Sequence, residues 1–157
     1  MTPDELAKSG SEHAHQRALF AWVNIAKQYG SAAAFDAACY SKGGKEHADT
    51  KYGFSLELVK LKKYYAIPNG GERNKAVAAK LKAEGVLAGT PDTHLPVACG
   101  NYHSLYIEMK KFGGCLSPAQ QLRFPELVEE GNAVYVCYTW KEAVECLRHY
   151  LGLGSYR

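Results

Sequence analysis

The sequence contains no long apolar run of the kind a membrane span needs, about 20 residues. Met1 to Ser11 is polar and lacks the apolar centre of a signal peptide, so the expectation is a soluble, cytoplasmic protein. No C-x-x-C pair occurs among the five cysteines, Cys39, Cys99, Cys115, Cys137 and Cys146. An odd, scattered set argues against both a disulfide framework and a thiolate zinc site, and these thiols read as small apolar fillers. The chain also lacks the charge excess of a disordered tail: charged residues are 22% and the net charge is +3. No internal repeat is visible.

What the chain does have is material for one core. Apolar residues make up 46% of 157 positions, enough for a single domain over 1–157 and too short for two of ordinary size. The modest net charge hides an asymmetry. From Lys60 to Lys82 there are seven basic residues, Lys60, Lys62, Lys63, Arg73, Lys75, Lys80 and Lys82, against one acidic residue, Glu72. That segment carries +6 and the remainder −3, a pattern suited either to a polyanionic partner or to a solvated helix face.

Periodicity and punctuation place the elements. Leu19, Trp22, Val23 and Ala26 recur at helical spacing, predicting a helix over 12–28 with Ser9 as its cap and Gly30 as its stop. Residues 31–40 read as helical, 41–53 as an exposed loop, and 56–63 as a helical segment. A short strand over 64–67, a turn over 68–71 and a helix over 73–84 ending at Gly85 come next. Strands over 93–98 and 102–110 are joined by a hairpin at Cys99-Gly100-Asn101. Ser117-Pro118 opens a helix that Pro125 should kink or interrupt. An apolar strand over 133–138 precedes a last helix, opened by a Thr139–Glu142 capping box and running to Leu151. The order predicts an α/β domain with a small mixed β-sheet flanked by helices.

The chemistry concentrates in Pro91-Asp92 and, sixteen residues on, Glu108-Met109-Lys110. Side chains alternate along a strand, so Glu108 and Lys110 share a face with Tyr106, while Leu105, Ile107 and Met109 point into a core. Charges within an apolar pattern need a reason, because unpaired buried charge is costly. A divalent cation supplies one. Asp92 lies where it can converge on Glu108, and two hard carboxylates plus waters and a phosphate oxygen suit Mg²⁺. Lys110 would then orient or help deprotonate an attacking water and offset charge on a phosphorane. The plain alternative is a Glu–Lys pair on a solvent-facing strand.

Read with their neighbours, these pieces form a pattern: SEHAHQRALFAW, then IPNGGERNKAVAAKLKAEGVLAGTPD, then LPVACGNYHSLYIEMKKFGGCLSPAQ. The pattern resembles the VRR-NUC family, the virus-type replication-repair branch of the PD-(D/E)xK nucleases, over residues 11–28 and about 66–151. The resemblance implies a restriction-endonuclease-like core and Mg²⁺- or Mn²⁺-dependent hydrolysis of DNA in a bacterial or phage-infected cell. It implies that Asp92 and Glu108 bind metal, completed by the backbone carbonyl of Met109, and that Lys110 is the catalytic lysine. Glu12 matches an acidic residue of the first helix and Gln120 a glutamine of the helix after the E-x-K strand. Both also sit at capping-box positions, after Ser9 and Ser117, and the two roles could coexist. Asn69, Gly70, Gly71 and Arg73 match a marked loop that reads as DNA-binding, or as a plain turn into a helix; Lys75, Lys80 and Lys82 follow it.

Departures lie at Ser104, where the family more often has glycine, and at Arg123 and Pro125, with residues 31–63 reading as an insertion. Small stand-alone members resemble junction resolvases in being homodimers, so the implied substrate is branched DNA such as a Holliday junction. A flap, nicking or less selective nuclease is one alternative, and a DNA-binding module without turnover is another. His13 and His15 fall on different sides of their helix, so a shared metal is not expected. Trp22 and Trp140 read as core residues.

Overall fold

Thr2-Pro3-Asp4-Glu5 folds the start of the chain into a short helix, α1 (Pro3–Ala7). Thr2 and Glu5 form a reciprocal capping box around it, with Pro3 at the position that needs no amide donor. This helix was not expected from periodicity, being too short to show any. The computed structural model describes residues 1–29, 60–68 and 75–152. The expectations for 31–40, 41–53 and the first half of 56–63, the stop at Gly30, and the turn over 69–71 lie outside the described residues.

The long helix α2 (Glu12–Tyr29) buries the expected stripe: Ala18, Leu19, Trp22, Val23 and Ala26 are all but inaccessible. Its cap is Ser11 rather than Ser9. The Ser11 hydroxyl accepts from the Ala14 amide at 3.1 Å, and Ser9 only hydrogen-bonds Ser11. The helix α3 (Lys75–Ala83) closes with Gly85 at φ +91°, where the Gly85 and Val86 amides return to Lys82 and Leu81 carbonyls. Those paired bonds are the left-handed glycine stop anticipated for that residue.

Four strands form one mixed sheet in the order β1 (Tyr65–Ala66), β2 (Thr93–Leu95), β3 (Leu105–Met109), β4 (Ala133–Cys137). The first three are antiparallel neighbours, and β4 runs parallel to β3. All four strands are shorter than expected, β2 and β3 by the most. Pro96 has no amide to continue the β2 ladder, and the Val97 amide turns back onto the Leu95 carbonyl at 2.9 Å. At the other end of the hairpin Tyr102 closes onto Cys99, and the His103 amide bonds Gly131 instead of β2. The hairpin itself is present, turning at Gly100 with φ +56°.

The helix α4 (Pro118–Glu129) carries the chain from β3 to β4, and α5 (Trp140–Tyr150) follows β4. Pro125 was expected to kink or interrupt α4; the helix is not interrupted and continues through it to Glu129. The buried Phe124 and Leu127 hold that turn in place while Pro125 faces solvent. The Thr139 hydroxyl caps α5 by accepting from the Glu142 amide, but the Glu142 carboxylate takes the Tyr138 amide at 2.7 Å, so the expected box is one residue out of register. One face of the sheet (Leu95, Leu105, Ile107, Met109) packs with the stripes of α2 and α5, where Trp140, Ala143, Val144 and Leu147 close the core with Trp22. Among the described residues no helix is long and apolar enough to cross a membrane.

Candidate active site at one end of the sheet

Asp92 enters β2 from the edge, and Glu108 lies near the far end of its neighbour β3. Antiparallel pairing brings these positions to the same end of the sheet. Two local bonds fix Asp92 there. Its amide donates to Glu108 Oε2 at 3.1 Å, and its Oδ2 accepts from the Met109 amide at 2.9 Å. Next to it Thr93, fully buried, receives the Tyr64 hydroxyl at 2.7 Å and donates to the Ile107 carbonyl at 2.9 Å. That linkage ties the end of β1, β2 and β3 into one unit, and sequence reading missed it because a buried Thr carries no periodic signal.

Glu108 is only 2% exposed, the most deeply buried carboxylate among the described residues. Its Oε1 accepts from Lys110 Nζ and from Gln120 Nε2, both at 2.6 Å. With the Asp92 amide on Oε2, both carboxylate oxygens have donors, which is how the fold tolerates the buried charge. Gln120 reaches it from the first turn of α4. The same amide group uses its oxygen to accept from the Ser117 amide at 3.0 Å, completing the capping box with Ser117. Gln120 therefore caps α4 with one end of its side-chain amide and hydrogen-bonds Glu108 with the other. Glu12, in the first turn of α2, accepts the Lys111 amide on Oε1 at 3.2 Å. The Ser9 box imagined for Glu12 does not form, and its carboxylate instead faces the end of β3.

The electrostatics follow from burial and crowding. Burial raises Asp92 above the ordinary carboxylate range, opposed by the Met109 amide and the Lys110 charge and reinforced by Glu12. Burial likewise raises Glu108, against its hydrogen bond from Lys110, with the nearby Asp92 adding to the rise. For Lys110 burial acts downward, but the bond and charge of Glu108, then Glu12 and Asp92, outweigh it and hold the ammonium above its usual value. Two desolvated carboxylates thus stand side by side, with Lys110 hydrogen-bonded to one of them.

Beside the carboxylates a cleft opens between the start of α2 and β1, lined by Glu12, His13, Gln16, Ala66, Ile67, Pro68 and Asp92. Gln16 went unnoticed in the sequence, although it stands four residues after Glu12 and shares its helix face, and His13 was weighed only as a metal partner of His15. His15 turns away, accepting the Trp140 amide at 3.4 Å, so the two histidines diverge as expected. Among the described residues no group of three His, Cys, Asp or Glu side chains is arranged to hold an ion.

The other anticipated residues fare differently. Met109 is in the core, with its amide on Asp92. Lys80 and Lys82 are exposed on α3, Lys80 within 3.8 Å of Glu84. Lys75 begins that helix, and Asn69, Gly70, Gly71 and Arg73 lie outside the described residues. Ser104, one departure from the family pattern, donates to Asn132 at 2.6 Å and so ties the start of β3 to the start of β4. Another, Arg123, forms a surface pair with Glu126 at 2.8 Å.

No family model matches the chain, and no curated protein matches it. Among solved structures, one described as a VRR_NUC domain protein superposes with a TM-score of 0.60, covering 94% of this chain and 93% of that one at 24% identity. The chain shares the fold of that protein, a mixed four-stranded sheet with flanking helices.

Proposed function

We propose that this chain is a single-domain, divalent-metal-dependent DNA endonuclease of the VRR-NUC type, acting on branched DNA. The observation that carries the reading is the meeting of Asp92, Glu108, Lys110, Gln120 and Glu12 at one end of the sheet, from four separate elements. A structural ion pair needs two of these groups. It does not need a second desolvated carboxylate against the first.

The donor set fits Mg²⁺ or Mn²⁺. Such ions keep several waters and are held by one or two carboxylates plus substrate phosphate, and two hard carboxylates, Asp92 and Glu108, stand side by side here. Asp92 and Glu108 would hold the ion, with the Met109 carbonyl as third protein ligand. Bound there, the ion would polarise the phosphate and acidify a water. This chain's residues do the rest. Lys110 presents an ammonium beside Glu108 that orients the attacking water and offsets charge gathering on the phosphate oxygens. Gln120 fixes the Glu108 rotamer, and Glu12 fixes the chain just after Lys110. The exposed Lys80 and Lys82, with the loop at Asn69 to Arg73, would take DNA backbone phosphates. Cuts paired across a four-way junction would need two such sites, hence a homodimer.

The test is cleavage of a labelled four-way junction, a flap and a matched duplex in Mg²⁺, Mn²⁺ or EDTA. Wild type is expected to cut branched DNA only with metal, and Lys110→Ala to lose at least about 100-fold in rate, the scale of a general acid–base or charge-stabilising group. Binding without metal-dependent cutting would overturn the nuclease reading. Equal cutting of all three DNAs would overturn the branched-DNA preference.

A further inference from the structure

Phe112 is 93% exposed, two residues beyond Lys110. A lone exposed apolar residue needs no explanation by itself. Its mounting sets this one apart. The Gly114 amide donates to the Lys111 carbonyl at 2.8 Å, closing a tight turn with Phe112 at its first corner and Gly113 at the second with φ +76°. That backbone suits glycine at the second corner. A Cβ on Gly114 would stand 2.9 Å from the Lys111 oxygen, so the turn admits little change there. The stem is fixed as well. The Lys110 amide bonds the Cys137 carbonyl at 2.9 Å, the Lys111 amide bonds Glu12 at 3.2 Å, and Lys110 Nζ bonds Glu108. The turn therefore fixes the backbone that carries Phe112, two residues beyond Lys110.

Consecutive Cα atoms are about 3.8 Å apart, so the Phe112 Cα lies within roughly 8 Å of the Lys110 Cα. A phosphate held at Lys110 leaves its flanking base within reach of the ring. Two lysines followed by an aromatic group match the two chemistries of single-stranded nucleic acid, charge for the backbone and a flat ring for the base. In an intact duplex that base is stacked and shielded.

We propose that Phe112 stacks on an unpaired nucleobase flanking the phosphate at Lys110, and so selects DNA that has an unstacked base beside the cut. This rests on the nuclease reading for its choice of ligand, but it is tested by binding alone. Fluorescence anisotropy in EDTA, where cutting is silent, would compare a flapped DNA with a fully paired duplex of the same sequence. The proteins are wild type, Phe112→Ala and Phe112→Trp; circular dichroism checks their fold. Phe112→Ala is expected to lose about fivefold or more in flap affinity, the low end for one stacked base. Its duplex affinity should stay unchanged, and Phe112→Trp should restore the flap. Equal wild-type affinity for the two DNAs, an equal loss on both, or no loss at all overturns the proposal. Cleavage by wild type but not Lys110→Ala in Mg²⁺ decides the nuclease reading separately.

Discussion

Gln120 does two jobs with one amide group. Its oxygen closes the first turn of α4 on the Ser117 amide, and its nitrogen holds Glu108 at 2.6 Å. Gln120→Glu separates the jobs. The new carboxylate still accepts from Ser117, but it faces Glu108 with like charge and no donor. Cleavage should fall by about 10- to 100-fold, the usual cost of losing a partner that orients a metal ligand. Helix content by circular dichroism should not change. Wild-type cleavage rates in this variant would remove Gln120 from the machinery and leave it a cap.

At the scale of elements, α4 is the part most at odds with its own sequence. Pro125 lies in its interior, where it leaves the Gln121 carbonyl without the usual amide four residues on. Packing of Phe124 and Leu127 outweighs that penalty. Pro125→Ala should therefore stabilise the protein by about 1–3 kcal/mol, read from urea denaturation. A variant no more stable than wild type would mean that the native bend, rather than the missing bond, accommodates the proline. The entry to α4 is equally constrained. Gly89, at φ +81°, passes so close that a Cβ would stand 2.4 Å from the Ala119 carbonyl oxygen and 2.9 Å from the Gln120 amide nitrogen. The segment leading to Asp92 thus lies directly on the turn that supplies Gln120, and glycine makes the approach possible.

For the whole molecule, the crowded carboxylates predict linkage between metal and stability. An ion that binds the folded site and not the unfolded chain stabilises by RT ln(1 + [L]/Kd), about 2.7 kcal/mol at a hundredfold excess over Kd. Thermal denaturation should show a rise with Mg²⁺ or Mn²⁺ that EDTA reverses. Asp92→Ala and Glu108→Ala should lack that rise. A shift of equal size in all three proteins would place the ion elsewhere. Asp92 borders the cleft beside α2, while the inward face of the strands is closed by Leu105, Ile107 and Met109.

Much of this was legible in the linear chain, because some physics is local. Strand alternation set Glu108 and Lys110 on one face, and a 3.6-residue period set the buried stripe of α2. Ser117-Pro118 marked the start of α4, and Gly85 marked the end of α3. Local rules failed where a neighbour in space competed. Glu142 chose the Tyr138 amide, Ser11 displaced Ser9, and β3 gave up its first residues to the end of α4. Only the tertiary structure could join Glu12 to Lys111, 99 positions away, or fasten Tyr64 to Ile107 through Thr93. Periodicity tells a side chain which face to take. Which side chains then meet is set by how those faces close over one core, and that depends on the packing of every element at once.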